Sequence, residues 1–359
     1  ARPISQAENL GCVPRGTNQI KDLRYTSAAT SNSGIHDRLM SIMHAEKSSS
    51  KKYVRRLVTD ADNFSVVLYT DDMCDFLLKR CQISLDAPYS PIFVDTTYKL
   101  TNMWALVCTM RATDFIGHPL VVGPILLTKP QRVKDFSVLW EQLLRTEKQL
   151  KTSRLVFITD GDEALMQSIG TMFPHSQQYR CRLHLYGNIE RKLSQMGIPS
   201  QNVMKDVKAA FGFQATQFQK QICDMYSRWE DLAKVHNIIS TSAIKGIINY
   251  FQRVMEPVLL TNLDETLKQS GLYDVNNNPA ESTNAMLKRW CKGSQSVDSV
   301  CQALGDGIQA QFIQMEKGFR GVSQKFLTEV DQTPTQTTSN LFEMLDEIDG
   351  ADTDAVACR

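Results

Sequence analysis

The alternation of apolar and polar positions divides the chain into a strand-rich middle and a helix-rich second half. Between Tyr53 and Cys81 the pattern is mixed, with FSVVLYT (Phe64–Thr70) reading as a strand and DDMCDFLLKRC (Asp71–Cys81) as a helix. PIFVDTTYKL from Pro91 is a short apolar run entering a β-branched polar stretch, which predicts a strand. MWALVCTMRATD predicts a second strand, FIGHP a turn, and LVVGPILLT a third strand interrupted at Gly123 and Pro124. After Pro130, the helical spacing of Phe136, Leu139, Leu143 and Leu144 predicts a helix over VKDFSVLWEQLLRTEKQL. LVFITD, ending at Asp160, is the continuous apolar run of a strand buried on both faces. DEALMQSIGTMF then predicts a helix, and QYRCRLHL a fifth strand. This order makes an α/β fold with a mixed sheet flanked by helices.

From Gly187 to Asp274 the strand signal disappears. NVMKDVKAAF, TQFQKQICDMYSRWEDLAKVH and AIKGIINYFQRVM are amphipathic at helical spacing, which predicts an all-helical insertion with Phe218 and Trp229 in its core. NNNPAESTNAMLKRWCK and SVDSVCQALGDGIQAQFIQMEKGF supply the last two helices. The expected organisation is a mobile arm and linker over 1–52, a lead-in segment over 53–90, and the first part of the core over 91–186. The helical insertion follows over 187–275, core helices over 276–321, and a disordered acidic tail over 322–359. A short helix is expected around His36 to His44 within the arm. The first residue is Ala1 rather than Met, so a preceding segment is expected.

Net charge changes this picture little, because 40 Lys and Arg balance 39 Asp and Glu to give +1. The distribution is more telling than the sum. Lys51, Lys52, Arg55 and Arg56 form one basic cluster, and Lys288, Arg289 and Lys292 another. Each is either a solvated surface or a phosphate contact. The nine cysteines form no CxxC pair and several lie in apolar runs, which suits reduced buried thiols.

Three carboxylates stand out by position. Asp95 follows Phe93 and Val94 within a strand, where an acid is costly to bury unless it is paired or bound to metal. Asp160 ends a buried strand, the end at which ligand sites of α/β sheets gather. Asp160 and Asp162 are both candidate caps for the following helix, and Asp160 is the candidate ligand because it lies nearer the strand. Glu281 falls at N3 of a capping box if Asn278 is the N-cap and Pro279 the first helical residue. Glu281, Asn284 and Lys288 also share one helical stripe, an arrangement that suits either a metal and phosphate site or solvent. Cys181 and His184 form CRLH, and two ligands do not complete a zinc site. His175 and His236 are the candidate further ligands.

FVDTTYKL, VFITDGDEALMQSIGTMFP, YRCRLHLYGNI and NNNPAESTNAMLKRW, taken together, resemble the Mutator-like element (MULE) transposases and their bacterial insertion-sequence relatives. The resemblance extends from Phe64 to Gly321, and its most specific part is the C-x2-H pair shortly after the TDG stretch. It implies an RNase H-like core of the DDE type, with an all-helical insertion before the last catalytic helix. The family's acids fall on Asp95, Asp160 and Glu281, its C-x2-H pair on Cys181 and His184, and its following Asn on Asn188. It further implies two Mg²⁺ or Mn²⁺ ions held by the three acids, and DNA cleavage at transposon ends followed by strand transfer. Lys51, Lys52, Arg55, Arg56, Asn284, Lys288 and Arg289 are the candidate DNA contacts. A homo-oligomer and a nuclear location are expected on the same ground, with no membrane and no small-molecule cofactor. Zinc stays open, and no complete zinc-finger module is visible. The alternative is a domesticated DNA-binding or transcriptional regulator of the same descent that does not cut.

Overall fold

The computed structural model describes residues 53–60, 63–84, 89–98, 100, 103–129, 131–212, 215–234, 240–262, 275–292, 296–323 and 325–328. Seven strands form one mixed sheet: β1 (Val54–Asp60), β2 (Asn63–Leu68), β3 (Ile92–Thr97), β4 (Trp104–Arg111), β5 (Leu120–Thr128), β6 (Val156–Thr159) and β7 (Gln177–Arg180). Their order is β1-β2-β5-β4-β3-β6-β7. β3, β4 and β5 form an antiparallel meander, while β6 runs parallel to β3 and β7 parallel to β6. This is an α/β fold with a mixed sheet flanked by helices, as the order of elements along the chain predicts, and it is compatible with the RNase H-like type.

Helices cover both faces. α1 (Asp71–Arg80) follows the β1–β2 hairpin, and its first turn is capped by Thr70. α2 (Val133–Thr146) and α3 (Glu163–Met172) lie on one face, where Trp140 meets Phe157 edge-on at 5.9 Å and donates to Ser168 Oγ at 3.1 Å. α9 (Asn278–Trp290) and α10 (Val297–Phe319) lie on the other. Contacts at the edge strand show the separation: Arg56 of β1 reaches Glu141 of α2, while Tyr53, just before β1, donates from Oη to Gln302 of α10. Gln311 of α10 bonds both the N–H and the C=O of Val122 and so fastens that helix to β5.

Between β7 and α9 the described chain is helical throughout. α4 (Arg182–Gln195), α5 (Ser200–Ala210), α6 (Phe218–Lys234), α7 (Thr241–Tyr250) and α8 (Glu256–Asn262) follow in order, with one π-helical turn, Phe251–Met255, joining the last two. They bury a second apolar cluster of their own, in which Phe218, Trp229 and Phe251 are inaccessible or nearly so. No helix among the described residues is long and apolar enough to cross a membrane.

The structure departs from the sequence expectations in three elements. β1 pairs with β2 as an extra hairpin, where the mixed pattern before Phe64 shows no clear alternation. QYRCRLHL is not one strand: β7 stops at Arg180, and Cys181 is already the N-cap of α4. α2 ends at Thr146, and Lys148–Lys151 forms a 3₁₀ turn. The helix expected at His36 to His44, and the tail from Glu329 onward, lie outside the described residues. Of the seven described cysteines, only Cys223 is exposed.

Candidate active site

β3 and β6 are central parallel neighbours, and their register pairs Val94 with Thr159. One step further along both strands brings Asp95 beside Asp160. The face they share follows from alternation. Phe93 and Ile158, each two residues earlier, pack with Ala280 of α9. Both acids therefore point to the α9 side of the sheet, and α9 is the helix that carries Glu281.

The contact is direct. Asn284, one turn beyond Glu281, donates from Nδ2 to Asp95 Oδ2 at 2.8 Å. Asn277, just before α9, donates from its side chain to the carbonyl of Val94 at 3.3 Å and from its backbone N–H to Cys181 Sγ at 3.1 Å. These bonds tie the start of α9 to β3 and to the β7–α4 junction. They also answer the capping-box expectation. The N-cap is Asn277 rather than Asn278, and it makes no side-chain cap, because that side chain is engaged with Val94. Glu281 consequently lies one position past N3, and a reciprocal cap does not account for it.

Burial pushes the Asp95 carboxyl up to about 6, with Asp160 the next cause and Glu281 a smaller one, while His184 opposes. Asp160 sends Oδ1 to the N–H of Asp162 at 3.0 Å, and Asp162, not Asp160, caps α3 by accepting from Leu165 N. Glu281 is exposed. A half-buried acid surrounded by like charge suits a hard divalent cation, whose oxygen ligands would be these carboxylates. Among the described residues, no three His, Cys, Asp or Glu side chains are already gathered closely enough to form a metal shell.

Cys181 and His184 sit at the first turn of α4, beside this cluster. Burial raises the Cys181 thiol, but His184 and the N–H of Asn277 outweigh it, so the net direction is downward. His184 is pushed up to about 9, chiefly by Cys181 and against the effect of burial, with Asp160 and Asp95 adding to the rise. The His184 Nδ1 atom is buried without a hydrogen-bond partner. His175 is exposed in the turn before β7, at the opposite end of that strand from Cys181, and His236 lies outside the described residues.

The remaining candidates separate in space. Asn284 is buried against Asp95, whereas Lys288 and Arg289 are exposed in the last turn of α9, so the stripe expected from Glu281 to Lys288 is split between core and solvent. Arg55 pairs with Asp71 and Arg56 with Glu141, both at 2.9 Å, on the edge strand β1. Four strand spacings, roughly 19 Å, separate that edge from β3. Lys51 and Lys52 lie outside the described residues. Sequence reasoning missed two residues that shape the site. Asn277 is one of three consecutive asparagines whose tertiary partner no local pattern reveals. Arg180 ends β7 and donates from Nη2 to the carbonyl of Gly161 at 2.6 Å.

A family model described as MULE transposase domain matches residues 91–188, a span that contains Asp95, Asp160, Cys181, His184 and Asn188. No curated protein matches the chain.

Proposed function

We propose that the chain is a DDE transposase of the Mutator-like element kind acting on DNA, a reading that the match of residues 91–188 to the MULE transposase domain supports. Its reaction would be metal-dependent cleavage of DNA strands at transposon ends and transfer of the freed 3′ ends into target DNA. The observation that carries this reading is the 2.8 Å bond from Asn284 to Asp95. It sets the helix of Glu281 over the sheet face that Asp95 and Asp160 share.

Asp95, Asp160 and Glu281 would hold two Mg²⁺ or Mn²⁺ ions, which when bound supply nucleophile activation and leaving-oxygen stabilisation for an in-line displacement. The chain's own contribution is positioning. Asn284 fixes one oxygen of Asp95, and the N–H of Asp162 fixes one oxygen of Asp160, so each acid presents its second oxygen. Glu281, on the exposed first turn of α9, would complete the ligand set from the solvent side. Cys181 and His184 brace the junction of β7, α4 and α9 through the Asn277 N–H. Assembly of two transposon ends calls for a homo-oligomer, and chromosomal substrates call for a nuclear location.

The experiment is cleavage of terminal-repeat DNA with Mg²⁺ or Mn²⁺ by the wild-type chain and by Asp95→Ala, Asp160→Ala and Glu281→Ala. Metal-dependent nicking lost in all three variants supports the reading. DNA binding without nicking under any metal condition would establish the non-cutting regulator instead.

A further inference from the structure

Several arginines that flank the sheet are matched by acids. Arg55 pairs with Asp71, Arg56 with Glu141, Arg80 with Asp114 and Arg132 with Asp135. Three cations around α4 are different. Arg180, Arg191 and Lys192 have no carboxylate partner among the described residues. Arg180 gives Nη2 to the carbonyl of Gly161, next to Asp160, while its Nε is buried without a partner.

These residues lie on a line. His184, the adjacent Gly187 and Asn188, and Arg191 follow one another at three- and four-residue spacing along one face of α4, with Arg180 at the strand end ahead of it. From His184 to Lys192 the helix rises about 12 Å at ~1.5 Å per residue. His184 at its head lies within the field of Asp160 and Asp95. The middle is open: a Cβ added at Gly187 would meet nothing within 4 Å, and Asn188 is exposed. Tyr250 of α7 lies alongside. Its phenol is raised by burial and pulled back by Arg180 and Arg191, and Lys192 Nζ stands 5.9 Å from its ring.

We infer that this face of α4, from His184 past Gly187 and Asn188 to Arg191 and Lys192 with Tyr250 beside it, is the track that carries the phosphate backbone of the DNA strand away from the acids. The inference rests on the transposase reading and adds to it a location and a direction for the strand. Uncompensated cations attract a polyanion, and the absent side chain at Gly187 lets a backbone approach the helix. The hydroxyl of Tyr250 and the amide of Asn188 supply donors to phosphate oxygens. At ~3.4 Å of rise per nucleotide along one strand, the length suits about three to four nucleotides.

The test uses the full chain with a chelator present, so that binding is read apart from cleavage. Fluorescence anisotropy would follow a labelled duplex with a single-stranded end across a salt series. Arg191→Ala with Lys192→Ala should weaken binding about tenfold at ~0.1 M salt and reduce the slope of log affinity against log salt by about 2. Gly187→Leu should weaken binding with a Tm no lower than that of wild type, since it replaces a glycine within a helix. Lys148→Ala with Lys151→Ala, in the 3₁₀ turn ahead of β6 and so at the far end of that strand from Asp160, should bind as wild type does. Wild-type affinity and salt slope in the α4 double variant would overturn the track, as would an equal loss in the Lys148 and Lys151 control. Binding lost in the α4 variant from a chain that never cleaves would keep the track and sink the nuclease. No wild-type binding at all would sink both.

Discussion

Asn284 Nδ2 meets Asp95 Oδ2 at 2.8 Å, although 189 residues of chain separate them. The bond joins the final part of the core to its first central strand. It does so at an acid that burial and like charge already hold near the edge of ionisation. An amide is well suited there, because it donates to the carboxylate without adding a charge.

Asn284→Ala removes that donor. A hydrogen bond to a charged group contributes ~1.5–3 kcal/mol, so the metal-free chain should lose on the order of 1 to 2 kcal/mol in urea denaturation. Cleavage should fall at least tenfold, with added Mn²⁺ restoring part of it. Asn284→Asp should be worse at neutral pH than at pH ~5, since it adds a further carboxylate against Asp95. Equal activity in wild type and Asn284→Ala would show that the bond does not position Asp95.

Stability without metal should depend on pH in a direction set by Asp95. Its folded value of about 6 lies above the ordinary carboxylate value, so the folded chain binds this proton more tightly than the unfolded chain does. The contribution is fully present below about pH 4 and is lost as pH rises through about 6. Thermal melts in chelator should therefore show Asp95→Asn gaining on wild type as pH increases from ~4.5 to ~7. A constant difference between the two across that range would refute the assignment.

Gly161 is strained for any other residue on two counts. Its φ is +93°, and a Cβ there would stand 2.3 Å from Arg180 Nε. Gly161→Ala should cost ~1–3 kcal/mol through the backbone conformation alone, and displace the Asp160 turn as well. Combining it with Arg180→Ala should recover the steric part but not the backbone part. Full recovery in the double variant, measured by urea denaturation, would show that the positive φ carries no cost.

Trp229 is fully buried among the helices between β7 and α9, and its Nε1 donates to Asp206 Oδ2 at 2.9 Å. Trp229→Phe should cost about 1 kcal/mol for the lost bond, and Trp229→Ala ~3–5 kcal/mol for the cavity. Because this cluster is built from its own helices, amide exchange in Trp229→Ala should quicken over 200–262 before it does in β3, β4 and β6. Uniform acceleration across the sheet would show that the two clusters unfold as one.

How much of the site was legible follows from the kind of signal each residue leaves. Asp95 and Asp160 end or interrupt apolar runs, so an acid at a strand end is visible from its neighbours alone. Glu281 was ambiguous, because a helix start with Asn, Pro and Glu also reads as a cap. The tertiary bond from Asn277 to Val94 resolved that ambiguity by taking the capping side chain away. Asn284 could be placed on a helical stripe, but spacing does not say which side of the stripe meets the sheet. The basic cluster at Arg55 and Arg56 looked like a phosphate site, and its partners Asp71 and Glu141 come from elements that pattern cannot dock. Arg180 left no signal, since a lone arginine ending a strand is ordinary.

The sequence alone determined most of the succession of strands and helices, β1 and the β7–α4 boundary apart, because the periodicity of apolar positions is a local property that burial imposes within each element. It also marked two of the three acids, since a charge next to an apolar run is locally conspicuous. Tertiary structure decided which face of the sheet α9 covers, which amide meets Asp95, and which cations stay without acidic partners. Those outcomes depend on docking between elements far apart in the chain, where the free-energy differences arise from contacts that no single segment contains.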